Sequence, residues 1–230
     1  MNIKRRKFNI CLLGESLVGK SSIINRYKNN EFEESLMTMY FSPYILKKTF
    51  NNIEYTFKIF DTPGQERYRS FSNTYLKISD GFFMVFAVDN KESFERGISW
   101  IKDIEDYFNL EEKVLFLLGT KIDVKPEEKQ VTKEEVEEIA KSMNIKYFET
   151  SARTKEGINE AFEEMFKDVL EQYKMNRNKK TNHLDKIDIR KEKERNKEIK
   201  YNYEMNNQNN KKKSNYSPFS NYILDKFNKY

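Results

Sequence analysis

The 230-residue sequence predicts an α/β fold, a six-stranded, mostly parallel sheet with helices on both faces. Three observations lead there. Strand-like and helix-like segments alternate along residues 7–173, the pattern of parallel strands joined by crossover helices. Phe82–Val88 and Val114–Leu118 are unbroken apolar runs, as strands buried on both faces are. Finally, Gly14-Glu15-Ser16-Leu17-Val18-Gly19-Lys20-Ser21 fits the pattern G-x-x-x-x-G-K-[ST], set between an apolar run and an apolar-periodic segment.

The elements follow in order. The first strand is expected over Phe8–Leu13 and contains Cys11, which reads as a small core residue. A helix over Ser21–Lys28 opens directly from the glycine-rich loop. Strands over Tyr44–Phe50 and Tyr55–Asp61 flank Asn51-Asn52, a hairpin signal that makes this pair the antiparallel edge. A strand over Gly81–Val88 precedes a helix over Ser93–Phe108. A strand over Val114–Gly119, a helix over Lys133–Met143 and a strand over Lys146–Glu149 come next. In the last helix, Ile158–Tyr173, Ile158, Ala161, Phe162, Met165, Phe166, Val169 and Leu170 recur at helical spacing and are taken as core. Ligands of such sheets sit at the carboxyl ends of the strands.

Composition divides the chain in two. Residues 1–173 carry 26 Lys and Arg against 30 Asp and Glu, whereas residues 174–230 carry 16 against 7. We read residues 7–173 as one folded domain and 174–230 as a basic Asn/Lys-rich tail, disordered or partly helical, unable to bury enough apolar area to offset its ordering entropy. Phe219, Tyr222, Ile223, Leu224 and Phe227 near its end could form a short docking motif or belong to a disordered terminus. No apolar run approaches the ~18–20 residues of a membrane span. The start shows no signal-peptide core and Asn at position 2 in place of a myristoylated glycine. A single cysteine fits a reducing compartment. The tail lacks the aromatic-plus-basic module of a nucleic-acid binder, so no nucleic-acid partner is expected.

The loop at 14–21 is suited to a polyphosphate. Gly14 and Gly19 allow a tight turn and close approach, so that N–H groups across Glu15, Ser16, Leu17 and Val18, and on into Lys20, Ser21 and Ser22, face an anion at a helix N-terminus. Lys20 reaches the β- and γ-phosphates and Ser21 is placed to ligate Mg²⁺. Asp61-Thr62-Pro63-Gly64-Gln65 closes the third strand, 40 residues beyond Ser21. Asp61 is placed to hold Mg²⁺ through water, Gly64 to offer its N–H to a γ-phosphate, and Gln65 to orient the attacking water. Thr120-Lys121-Ile122-Asp123 follows a buried strand. The Asp123 carboxylate can accept from guanine N1–H and the exocyclic amine, a donor pair adenine lacks there. The Lys121 stem can lie over the base, Phe32 can close its other face, and the Ala152 N–H of Ser151-Ala152-Arg153 can meet O6.

In that order these motifs resemble the Ras superfamily of small GTPases over about residues 7–173. Arg67-Tyr68-Arg69-Ser70-Phe71, and Glu92-Ser93-Phe94 with Trp100, resemble the Rab group most. The resemblance implies the P-loop NTPase G domain, GTP/GDP as bound nucleotide with Mg²⁺, and slow GTP hydrolysis in which Lys20 and Gln65 are the catalytic residues. It implies a molecular switch in vesicle traffic, on which an exchange factor, an activating protein and effectors act through segments near 33–43 and 63–74. An activating partner is expected to supply an arginine, because none is obviously placed at the phosphate loop.

Four departures from the family pattern qualify the resemblance. Counted backward from Asp61, Thr38 falls on the metal-ligating threonine of the first switch; counted forward from Ser21, Met39 does. Thr38 is preferred because a hydroxyl suits the metal. Leu17 stands where relatives have Gly or Ala, crowding the phosphate side. Thr120 replaces the usual Asn. No cysteine follows Cys11, so the sequence encodes no prenyl anchor. The expectation is a cytoplasmic monomer, peripheral on the cytosolic face of an endomembrane through weak basic or partner contacts. The alternative is a GTP-holding interaction module with little hydrolysis.

Overall fold

The computed structural model describes residues 6–33, 43–62, 76–107 and 112–179, with the backbone alone over 103–107. The chain divides into two compact units, Met1–Met175 and Asn176–Tyr230. In the first, six strands form one sheet in the order β2-β3-β1-β4-β5-β6. They are β1 Lys7–Leu13, β2 Tyr44–Phe50, β3 Ile53–Asp61, β4 Gly81–Ala87, β5 Val114–Thr120 and β6 Lys146–Glu149. Helices are α1 Lys20–Asn29, α2 Lys91–Tyr107, α3 Lys133–Ser142 and α4 over 158–179, with a 3₁₀ turn at Pro126–Glu128.

β1 lies parallel between β3 and β4, β4 parallel to β5, and β5 parallel to β6; β2 alone runs antiparallel, against β3. The expected α/β sheet with one edge hairpin is therefore present. Its turn is made by Asn51 at φ 49° and Asn52 at φ 61°, left-handed values that asparagine tolerates and that match the twist of the strands. β3 begins at Ile53, two residues ahead of the expected Tyr55, because Phe50 pairs directly with Ile53 across so tight a turn.

Strand alternation divides the core between the two faces. Phe8, Ile10 and Leu12 of β1 face one side with α1 and α4, through Ile23, Ile24, Phe162, Met165 and Phe166. Cys11 and Leu13 face the other, with Phe94, Ile101, Val136 and Ala140 of α2 and α3. All seven residues of β4 and of β5 are buried, as their unbroken apolar runs require. On the edge strand β2, Tyr44, Leu46, Lys48 and Phe50 are half-covered while Ile45, Lys47 and Thr49 are exposed.

Local chemistry fixes the ends. The Thr132 side chain accepts from the Glu135 N–H and starts α3, a Thr-x-x-Glu signature legible in the sequence. Asn90 Oδ1 accepts from the Ser93 N–H at 3.0 Å and starts α2. At the carboxyl edge, Thr62 Oγ1 donates to the Leu12 carbonyl at 2.8 Å, so the end of β3 is tied to the end of β1. The strand order reverses around β1, and the loop it feeds therefore opens at the crevice where such sheets take ligands.

Candidate nucleotide site

The loop from β1 to α1 has a backbone that few residues tolerate. A Cβ on Gly14, at φ +148°, would lie 2.1 Å from the Val85 carbonyl oxygen, so only glycine lets the loop leave the sheet at this point. Gly19, at φ +96°, is the N-cap of α1. It supplies no side-chain cap, and the first turn of α1 carries no acidic residue. Helix-end N–H groups without a side-chain acceptor, aided by the helix dipole, are a ready anion site.

Lys20 folds back over this loop. Its Nζ donates to the carbonyls of Gly14 at 2.8 Å and Glu15 at 2.6 Å, and the residue is 5% exposed. Burial pulls its ammonium down to about 8, while the charges of Asp61 and Glu15 pull it back up. An ammonium desolvated this far is stabilised by an incoming polyanion.

Asp61 completes the arrangement. Its Oδ2 accepts from Ser21 Oγ at 2.6 Å, and its Oδ1 is buried with no hydrogen-bond partner among the described residues. Burial raises its carboxyl above the ordinary range, against the lowering by the Ser21 bond and the Lys20 charge. A hydroxyl and a half-satisfied carboxylate are hard oxygen donors of the kind Mg²⁺ takes, and a cation would relieve the orphaned oxygen. The residues therefore fit the metal that the sequence motifs imply.

The other end of the site is built from the loops after β5 and β6. Thr120 Oγ1 lies 2.5 Å from the Val18 carbonyl and 3.0 Å from that of Phe86, so this buried hydroxyl ties the phosphate loop to the sheet. Lys121, at φ +59°, reaches Asp89 at 3.2 Å. Asp123 is held on both oxygens, Oδ1 by Ser151 Oγ at 2.6 Å and Oδ2 by Arg153 Nε at 3.3 Å. The Arg153 guanidinium also stands 5.5 Å from the centre of the Phe32 ring. Phe32, Asp123 and Arg153 thus sit together, with Ala152 between Ser151 and Arg153 in the same loop. An ionised carboxylate offers about four acceptor positions, so Asp123 can take further donors.

Leu17 lies in the left-handed region at φ 65°, and its side chain is 90% exposed. Beside the Thr120 tie, two more were not legible in the sequence. Arg96 of α2 pairs with Glu15 of the loop at 3.5 Å and with Glu92. An arginine therefore does stand beside the loop, its charge engaged by carboxylates. Arg26 of α1 donates to the carbonyl of Ala152 at 2.6 Å. Neither belongs to a sequence signature; only the packing of α1 and α2 brings them to these loops. Thr38, Met39, Gly64 and Gln65, with most of the 33–43 and 63–74 segments, lie outside the described residues.

Among the described residues, no helix is long and apolar enough to cross a membrane. The model of the Ras family matches residues 9–171. The mouse (Mus musculus) Ras-related protein Rab-21 is 33% identical over 165 residues, covering 71% of this chain and 73% of its own. Ras-related protein Rab-9A of Rattus norvegicus is 36% identical over 172 residues, covering 73% and 85%. Human (Homo sapiens) Ras-related protein Rab-17 is 31% identical over 166 residues, covering 72% and 78%.

Proposed function

Because this chain belongs to the Ras family and is Rab-like, we propose that it is a guanine-nucleotide switch acting in membrane traffic on the cytosolic face of an endomembrane. It is a small GTPase that hydrolyses GTP to GDP and phosphate. Residues 7–173 form the nucleotide-binding domain in this reading, and 174–230 its basic tail. The observation that carries the assignment of the site is the join of Lys20, Ser21 and Asp61 at an N-terminus without a side-chain cap.

In this reading the loop N–H groups and Lys20 hold the β- and γ-phosphates, donating to oxygens on which charge spreads as the terminal bond breaks. Gln65 aligns water opposite the leaving oxygen, and Gly64 donates its N–H to the γ-phosphate. The water oxygen bonds to the γ-phosphorus, the bridging P–O bond breaks, GDP leaves with that electron pair, and the proton the water gives up passes to an oxygen of the released phosphate. Mg²⁺, when bound through Ser21 and Thr38 and supported by Asp61, supplies charge neutralisation at the phosphate oxygens. Asp123, Lys121, Ala152 and Phe32 bind the base. The segments near 33–43 and 63–74 respond to the γ-phosphate and present the surface that exchange factor, activator and effector recognise.

The exposed, left-handed Leu17 on the phosphate loop favours one rival, a GTP-holding interaction module that scarcely turns over. The base assignment has a direct test. Asp123→Asn exchanges an acceptor for a donor opposite the guanine amine, so preference moves from guanine toward xanthine nucleotides. Competition binding with the two diphosphates measures it, and unchanged guanine affinity would overturn the assignment.

A further inference from the structure

We infer that Arg26 is a positioning residue for recognition of guanine O6: from the far end of the phosphate-binding helix it holds the loop that meets the base. The inference rests on the reading that Asp123 and Ala152 bind guanine. The geometry is local and complete. Nε of Arg26 donates to the Ala152 carbonyl at 2.6 Å, and Nη2 to the Arg153 carbonyl at 3.3 Å. Nη1 donates to the Asn30 carbonyl at 2.6 Å, just beyond the end of α1. The planar guanidinium therefore bridges the end of α1 and two consecutive peptides of the loop after β6, a fork a lysine cannot reproduce.

The rest of that loop is fastened at its ends. The Ser151 N–H donates to the Glu156 carbonyl, the Lys155 N–H to the Ser151 carbonyl, and the Thr154 N–H to Ser151 Oγ. These bonds fix where the loop leaves β6 and turns toward α4. Arg26 addresses the residues between. Holding the Ala152 carbonyl toward α1 fixes the 152–153 peptide, and through φ and ψ of Ala152 it narrows the tilt open to the preceding peptide, whose N–H is the group assigned to O6. Holding the Arg153 carbonyl steadies the residue whose side chain pairs with Asp123 and stands over Phe32. Six residues of one helix, about 9 Å, separate Arg26 from Lys20, so α1 links the phosphate end of the site to its base end.

The test separates atoms of the base. Dissociation rates of GDP, inosine diphosphate and 2-aminopurine riboside diphosphate are measured on the full chain, wild type against Arg26→Ala, Arg26→Lys and Asp123→Asn. Inosine keeps O6 and lacks the amine; 2-aminopurine keeps the amine and lacks O6. Arg26→Ala is expected to speed release of GDP and inosine diphosphate alike, about tenfold, the worth of a charge-assisted hydrogen bond. Release of the 2-aminopurine nucleotide quickens much less, through the Arg153 contact alone, and Arg26→Lys falls between. Equal acceleration of all three nucleotides would overturn the inference in favour of a general packing role, and no acceleration would overturn it outright. Asp123→Asn reports on the underlying reading separately, because it penalises GDP more than inosine diphosphate only if Asp123 meets the amine.

Discussion

Leu17 offers a clean measure of how much strain the phosphate loop stores. Its φ of 65° places an L-residue with a full side chain in the left-handed region, at a cost of roughly 1–2 kcal/mol. Truncating the side chain forfeits almost no burial, because it is 90% exposed. Leu17→Gly removes the strain but gives the unfolded chain more freedom, a loss of about 0.5–1 kcal/mol. The net expectation is a gain of about 0.5–1 kcal/mol, or a rise in melting temperature of about 1–4 °C for a domain of this size. Leu17→Ala is the control. It keeps Cβ, and hence the strain, and stays within about 0.5 kcal/mol of wild type. Thermal unfolding of the three proteins at equal saturation with GDP decides the matter. If Leu17→Gly melts at or below Leu17→Ala, the left-handed backbone is not a strained one and the reasoning fails.

Other perturbations follow from the same geometry. Gly14→Ala puts a methyl group 2.1 Å from a backbone oxygen, so the loop must shift by about 1 Å; nucleotide affinity by calorimetric titration falls about a hundredfold, and an affinity within twofold of wild type refutes the packing argument. Glu163 is half-buried, and this partial desolvation raises its carboxyl, but Lys48 and the Tyr27 hydroxyl on the same oxygen overcome this and hold it below the ordinary range. A depressed carboxyl contributes stability that is fully present above its unfolded value and lost as pH falls through the folded one. Glu163→Gln therefore costs about 0.5–1 kcal/mol near neutrality, discounted because the pair is partly exposed, and this difference shrinks on acidification below about pH 4. Denaturant midpoints across pH measure it, and a difference that persists in acid points to packing instead.

Strong local signals let the sequence specify the sheet. The apolar runs of β4 and β5, the Asn51-Asn52 turn and the α4 stripe each require burial or a turn whatever surrounds them. Boundaries moved where tertiary pairing decides them. β3 gained Ile53 from its partner strand, and α4 continues to residue 179 across a polar stretch with no apolar stripe to announce it. In the site, Lys20, Ser21 and Asp61 could be placed from spacing because the strand ends bring them together. What remained hidden depends on contacts between distant residues. The Thr120 hydroxyl is spent on the Val18 carbonyl, Arg96 neutralises Glu15, and Arg26 reaches a loop 126 positions away. Each is an ordinary residue type on an ordinary helix or strand, and no spacing rule singles it out.

Single-turnover GTP hydrolysis with Mg²⁺, wild type against Gln65→Leu, separates the switch from its rival, with the nucleotide carried by the purified protein analysed alongside. A working switch gives slow but finite conversion of GTP to GDP by wild type, a marked further slowing in the variant, and GDP on the purified protein. Tight GTP binding without hydrolysis by either protein, and GTP retained through purification, would contradict it.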